Sequence, residues 1–188
     1  MELETLRDLY IHELKDLYSA ENQIIKALPK MARATKNRQL ASAFNQHLGQ
    51  TRNQAKRLEK ILKSHKESTR APKCEGMEGL LKEGDSAIKD SEKDVRDAGL
   101  IAAAQRVEHY EMAGYGCART YAQLLGDTSG ARLLNTTLQE EGQTDKKLTK
   151  LARSAINLRA KKQKKSSENG QDGVAAAISR IVQKIKRR

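Results

Sequence analysis

Four long stretches of this chain carry apolar residues every three to four positions, a period that fits amphipathic helices and not strands. The first runs through Leu6, Leu9, Tyr10, Leu14, Leu17, Tyr18, Ile24, Ile25 and Leu28 and fades at ATKNRQ. The second runs through Leu40, Ala43, Phe44, Leu48, Thr51, Ala55, Leu58, Ile61 and Leu62 and fades near SHKESTRAPK. The third spans Leu100 to Leu125, with Ala104, Val107, Met112, Tyr115, Ala118 and Ala122 on one face. The fourth continues through Leu133, Leu134, Leu138, Leu148, Leu151 and Ala152. A chain with no Trp, one Phe and 3% aromatics has little material for sheet, so the expected class is all-α.

The connections set the wiring. Residues 65–97 form a long polar connection with the apolar knot MEGLL, too weakly periodic for a full-length helix, so a crossover holding one short helix is expected. The third and fourth stretches are joined by GDTSG, with Gly126 as C-cap candidate and Asp127, Thr128 or Ser129 as N-cap candidates. Short loop, long crossover, short loop is the wiring of a ferritin-like four-helix bundle. Residues 1–158 are assigned to this domain, and 159–188 to a basic linker and amphipathic tail.

Charge is concentrated in that tail. Ten basic side chains from residue 159 onward stand against Glu168 and Asp172, which supplies +8 of the net +12. They include Lys161, Lys162, Lys164 and Lys165 before a glycine-containing hinge, and Lys184, Lys186, Arg187 and Arg188 after it. Non-specific DNA binding by these residues is one expectation. The apolar face of Val174, Ile178, Ile181 and Ile185 equally allows docking on the bundle or resting on an anionic membrane surface. The N-terminus is acidic and lacks a long apolar run, so neither a signal peptide nor a membrane span is expected, and a cytoplasmic location follows. Cys74 and Cys117 have no metal-ligand spacing and read as two reduced thiols.

Each apolar stripe is interrupted by polar residues. Glu21 lies on the first, His47 and Gln50 on the second, Glu108 and Glu111 on the third, Glu141 and Asp145 on the fourth. Counted from the two short loops at ~1.5 Å per residue, these positions agree in height within about one turn inside each hairpin. They form one layer. Buried carboxylates without compensation repel each other or take up protons, and two divalent cations roughly 3.5–4 Å apart would neutralise them. Glu13 and Glu140 border the apolar faces and read as solvated flanks. His109 lies off the stripe, and Tyr18, Tyr110 and Tyr115 read as core residues able to hydrogen-bond ligands.

The segments LRDLYIHELKDLYSAENQIIKALPKMA, HLGQTRNQAKRLEKIL, CEGMEGLLKEG, IAAAQRVEHYEMAGYG and LLNTTLQEEGQTDKKLTKLA resemble the YciE/YciF-type ferritin-like family of bacterial stress-associated proteins. The resemblance covers residues 3 to 158 and implies a ferritin-like bundle, a dinuclear metal centre and a homodimer. Against the wider di-iron pattern of a Glu on two helices and Glu-x-x-His on the other two, the chain departs twice. The second helix reads His47-x-x-Gln50, and the fourth has Thr144 where a histidine is expected, with Asp145 beside it. The expected function is a non-haem di-iron or dimanganese protein, with two Fe or Mn ions per chain, acting in stress protection by peroxide consumption or Fe(II) oxidation. Glu21, His47, Glu111 and Glu141 are the core ligands, with Glu108, Asp145 and Gln50 supplementary. The alternative is a metal-poor structural or interaction protein whose tail binds DNA.

Overall fold

The computed structural model describes residues 3–162, and all regular structure among them is helical. Helix α1 spans Leu6–Ala34, α2 Arg38–Ser64, α3 Glu75–Asp90, α4 Lys93–Leu124 and α5 Thr128–Leu151. A π-helical turn, Ala152–Ile156, leads into α6, Asn157–Lys162. The hairpins α1/α2 and α4/α5 pack together, α1 against α4 and α2 against α5, while α3 lies against α4 and α1. This is the ferritin-like bundle with its crossover helix.

Local chemistry starts the helices where the sequence allows. Thr5 and Asp8 form a reciprocal capping box at α1. The Asn37 side chain accepts from the backbone of Gln39 and Leu40 at α2, and Asp127 accepts from Gly130 N at 2.8 Å at α5. Of the three cap candidates in GDTSG, Asp127 is the one used, and Gly126 takes the left-handed turn after α4 at φ +77°. Asp127 also accepts from Tyr10 Oη (3.1 Å) and contacts His65 Nε2 (2.9 Å), pinning the ends of three helices together.

The crossover helix is longer than the sequence pattern suggests, running well beyond MEGLL, and α4 begins seven residues before Leu100. The cause is shared burial. α4 faces both the bundle and α3, so Leu100, Ile101, Ala103, Ala104 and Val107 are buried on more than one face and its periodicity blurs. Met112 and Leu48 are half-buried and Leu125 is exposed, although each fits an apolar stripe. The last helical segment crosses Leu158, where the apolar pattern breaks, and ends at Lys162. Lys161 and Lys162 are exposed there. Lys164, Lys165, Lys184, Lys186, Arg187 and Arg188, with the amphipathic face of the tail, lie outside the described residues.

The core is divided. One cluster contains Ile24, Leu28, Leu40, Phe44, Met77, Leu100 and Leu148. The other contains Tyr10, Leu14, Leu17, Leu58, Ile61, Tyr115 and Leu134. Each buried Leu or Ile contributes roughly 1.5–3 kcal/mol, and along every bundle helix the polar layer lies at the junction of the two clusters.

Candidate metal centre

All four bundle helices contribute to the layer. Glu21 on α1, His47 on α2, Glu108 and Glu111 on α4 and Glu141 on α5 are each at most 3% exposed. One donor atom from each of His47, Glu108, Glu111 and Glu141 falls within 4.8 Å of the others. His47 Nε2 lies 3.3 Å from Glu108 Oε1 and 3.9 Å from Glu141 Oε2. The spacing of Glu108 and Glu111 puts both on one face of α4, and Gly114, one turn further on, lets Leu17 of α1 approach closely enough that a Cβ would lie 2.8 Å from it. Glu21 stands beside this group, its Oε1 accepting from the buried Tyr115 hydroxyl.

Burial, followed by repulsion from neighbouring carboxylates, pushes Glu108 and Glu111 well above the usual carboxylate range. Glu21 is likewise raised, by burial and by Glu141, against the opposing Tyr115 hydrogen bond. Glu141 is raised to about 7, chiefly by burial, and burial lowers His47 to about 4. Glu21 Oε2, His47 Nε2, Glu108 Oε2, both Glu111 oxygens and Glu141 Oε2 have no hydrogen-bond partner. Unsatisfied buried atoms of this kind ordinarily mark an unmodelled ion or water. A set of carboxylate oxygens with one imidazole nitrogen matches the donor preference of iron and manganese, and the residues fit such a cation.

Two residues named from the sequence sit at the margin of the cluster. Gln50 is half-buried on the cavity wall beside His47. Asp145 accepts from Gln105 Nε2 at 2.8 Å and lies 3.4 Å from the exposed His109. Tyr115 combines both roles weighed for the tyrosines, being wholly buried and bonded to Glu21. Tyr110 instead donates to Asp16 at 2.7 Å.

Gln54 is the residue the stripe argument missed. It is fully buried and donates to Glu141, and its Nε2 lies 3.0 Å from Glu140 Oε2. Its signal was present, since Gln54 falls three after Thr51 and four before Leu58 on the α2 stripe. Glu140 is no solvated flank either. It takes a two-pronged ion pair from Arg57, at 2.6 and 2.8 Å, and Arg57 also reaches Thr137. Arg57, Glu140 and Gln54 therefore hold Glu141 in place. Gln54→Ala and Glu140→Ala should each weaken metal binding about 10- to 100-fold, the usual effect of removing a group that orients a ligand. Glu13→Ala, at a half-buried position away from this network, should leave affinity unchanged. Titration of purified variants with Mn(II) checks both, and equal affinities throughout would mean that Glu141 needs no orienting.

The sequence profile of the family described as a domain of unknown function, DUF892, matches residues 5–161. The chain belongs to the DUF892 family. Among DUF892-related proteins, protein YciF of Escherichia coli (strain K12) is 48% identical over 162 residues, which is 85% of this chain and 98% of that one. The crystal structure of the E. coli protein, described as a stress protein, superposes with a TM-score of 0.79 at 48% identity, covering 82% of this chain and 99% of that one. YcfI of Rhodopseudomonas palustris, described as a putative structural protein, gives a TM-score of 0.76 at 40% identity, covering 79% and 95%. The resemblance read from the four helical motifs holds. Among the described residues no helix is long and apolar enough to cross a membrane.

Proposed function

We propose that Glu21, His47, Glu108, Glu111 and Glu141 hold two iron or manganese ions, and that the protein serves in stress protection by consuming peroxide or oxidising Fe(II). The supporting observation is the set of buried oxygen and nitrogen atoms without partners on four different helices. Gln50 and Asp145 border the site as supplementary donors. Ions of either element, when bound, would supply one-electron steps between 2+ and 3+ states, chemistry that no side chain provides. The chain's own residues shape the site around them. Tyr115, whose burial keeps it protonated, holds a hydroxyl proton against Glu21. Gln54 fixes one Glu141 oxygen and leaves the other free. The apolar clusters on either side limit water, which strengthens every charge interaction inside. Elemental analysis of protein from metal-supplemented cells tests the proposal: about two equivalents of Fe or Mn per chain are expected, and neither metal above trace level would refute it.

A second reading, of a metal-poor structural protein, has support in the raised carboxylate pKa values, since protonated acids can coexist without a cation. Under either reading the tail is proposed to bind DNA without sequence preference, on the strength of its ten cations. With about five phosphate contacts, log K should fall with log salt at a slope of roughly −4 to −5. Comparing the full chain with a truncation after Lys162 in a duplex-shift titration decides it. Equal shifts by both, or none by either, would remove the tail from the account.

A further inference from the structure

A cavity of about 120 Å³ opens beside the cluster, and its lining is asymmetric. Ile24 and Leu28 of α1, Phe44 of α2, Ala104 and Val107 of α4 and Leu148 of α5 form an apolar wall. His47 and Glu108 line the same space, with His47 Nε2 and Glu108 Oε2 lacking partners. The exposed lining residues, Gln46 of α2 with Gln143 and Lys147 of α5, place the mouth between α2 and α5. Lys147 Nζ donates to Gln46 Oε1 at 2.6 Å, so a hydrogen bond spans the mouth from one helix to the other.

We infer that this cavity binds a small neutral molecule with an apolar body of about six carbons and one oxygen-bearing head, the head turned toward His47 and Glu108. The size follows from comparison with an engineered apolar cavity of roughly 150 Å³, which suffices for benzene. Neutrality follows from the charges. An anion meets the carboxylates of Glu108 and its neighbours at the deep end, while a cation passes Lys147 and then an apolar wall that does not solvate it. A wholly polar molecule forgoes the wall, and a wholly apolar one leaves the polar atoms at the deep end unpaired. The inference rests on the cluster being the metal centre, because only then is the cavity the approach to a reactive site.

Cyclohexanol is the probe, titrated into the full-length protein with binding read by ligand-observed NMR, and the metal content of the same sample is measured separately. Saturable binding with Kd on the order of 1 mM is expected, with none for glycerol, which is of similar size but polar throughout. Ala43→Leu and Ala104→Leu each fill part of the cavity and should weaken cyclohexanol binding at least about tenfold without changing metal content. Two substitutions on different helices guard against one of them failing to fold, which circular dichroism detects. Glycerol binding as well as cyclohexanol, or cyclohexanol affinity unchanged in both folded variants, overturns the inference. Metal-free protein that still binds cyclohexanol and loses it on filling would instead remove the metal reading and leave the ligand class standing.

Discussion

Glu111→Ala and Glu141→Ala are each expected to lower bound iron or manganese from about two equivalents per chain to below about a tenth, because removing a ligand costs more than the 10- to 100-fold of removing a group that only orients one. Helical content should be unchanged. Both residues are buried, both carry unpartnered oxygens, and neither side chain holds two helices together through an ion pair of its own. The metal-free fold should tolerate the loss well, since a carboxylate that repels its neighbours is removed, against the cost of a small cavity. Elemental analysis and circular dichroism on the same preparations give both readouts. Full metal content in both variants would place the centre elsewhere; loss of helix in both would make the two glutamates structural.

The second large effect is on pH. Glu21, Glu108, Glu111 and Glu141 have folded-state pKa values above their ordinary value of 4.5, so the metal-free folded chain binds more protons than the unfolded chain above that pH. Stability from these groups is fully present below about 4.5 and declines as pH rises through the folded values, the Glu141 step centring near 7. His47 acts in the opposite direction. Its folded pKa of about 4 lies below the ordinary 6.5, so its contribution is present above 6.5 and is lost as pH falls through 4. Above 6.5 only the carboxylates remain in play. If about two protons stay on the folded cluster, melting temperature should drop by roughly 10 °C between about pH 6.5 and pH 8 without metal. With Mn(II) present the slope should reverse, because ligands bind the cation deprotonated and affinity rises with pH. Calorimetric melts with and without Mn(II) measure both slopes; two flat lines would show that the cluster does not titrate with folding.

The supporting network has an electrostatic logic of its own. The Arg57 guanidinium, drawn up by its hydrogen bonds to Glu140, sits near enough to Glu141 to favour its ionised form. This cation distinguishes Glu141, raised only to about 7, from the other buried carboxylates, which burial and mutual repulsion push further. Glu141 is thus the carboxylate that gives up its proton most readily to an arriving cation.

The helices and the layer were legible in the sequence for a simple reason: a period of three to four residues records which side of a helix faces inward, and Glu21, His47, Glu108, Glu111 and Glu141 each break such a stripe. Caps were legible as well, because Asn37 and Asp127 act on backbone groups two or three residues away. What depended on contacts between distant segments was not. The full length of α3 and the early start of α4 follow from mutual burial of the two helices, which no single stripe records. The network Arg57–Glu140–Gln54–Glu141 joins residues more than 80 positions apart, so Glu140 read as a flank until α2 and α5 were brought side by side. The sequence alone determined which residues face the interior, through local helical geometry. Tertiary packing alone decided which of those residues meet, how deeply each carboxylate is stripped of water, and that an apolar cavity opens beside His47 and Glu108, because distances across the bundle are set by how four helices fit together and not by spacing along any one of them.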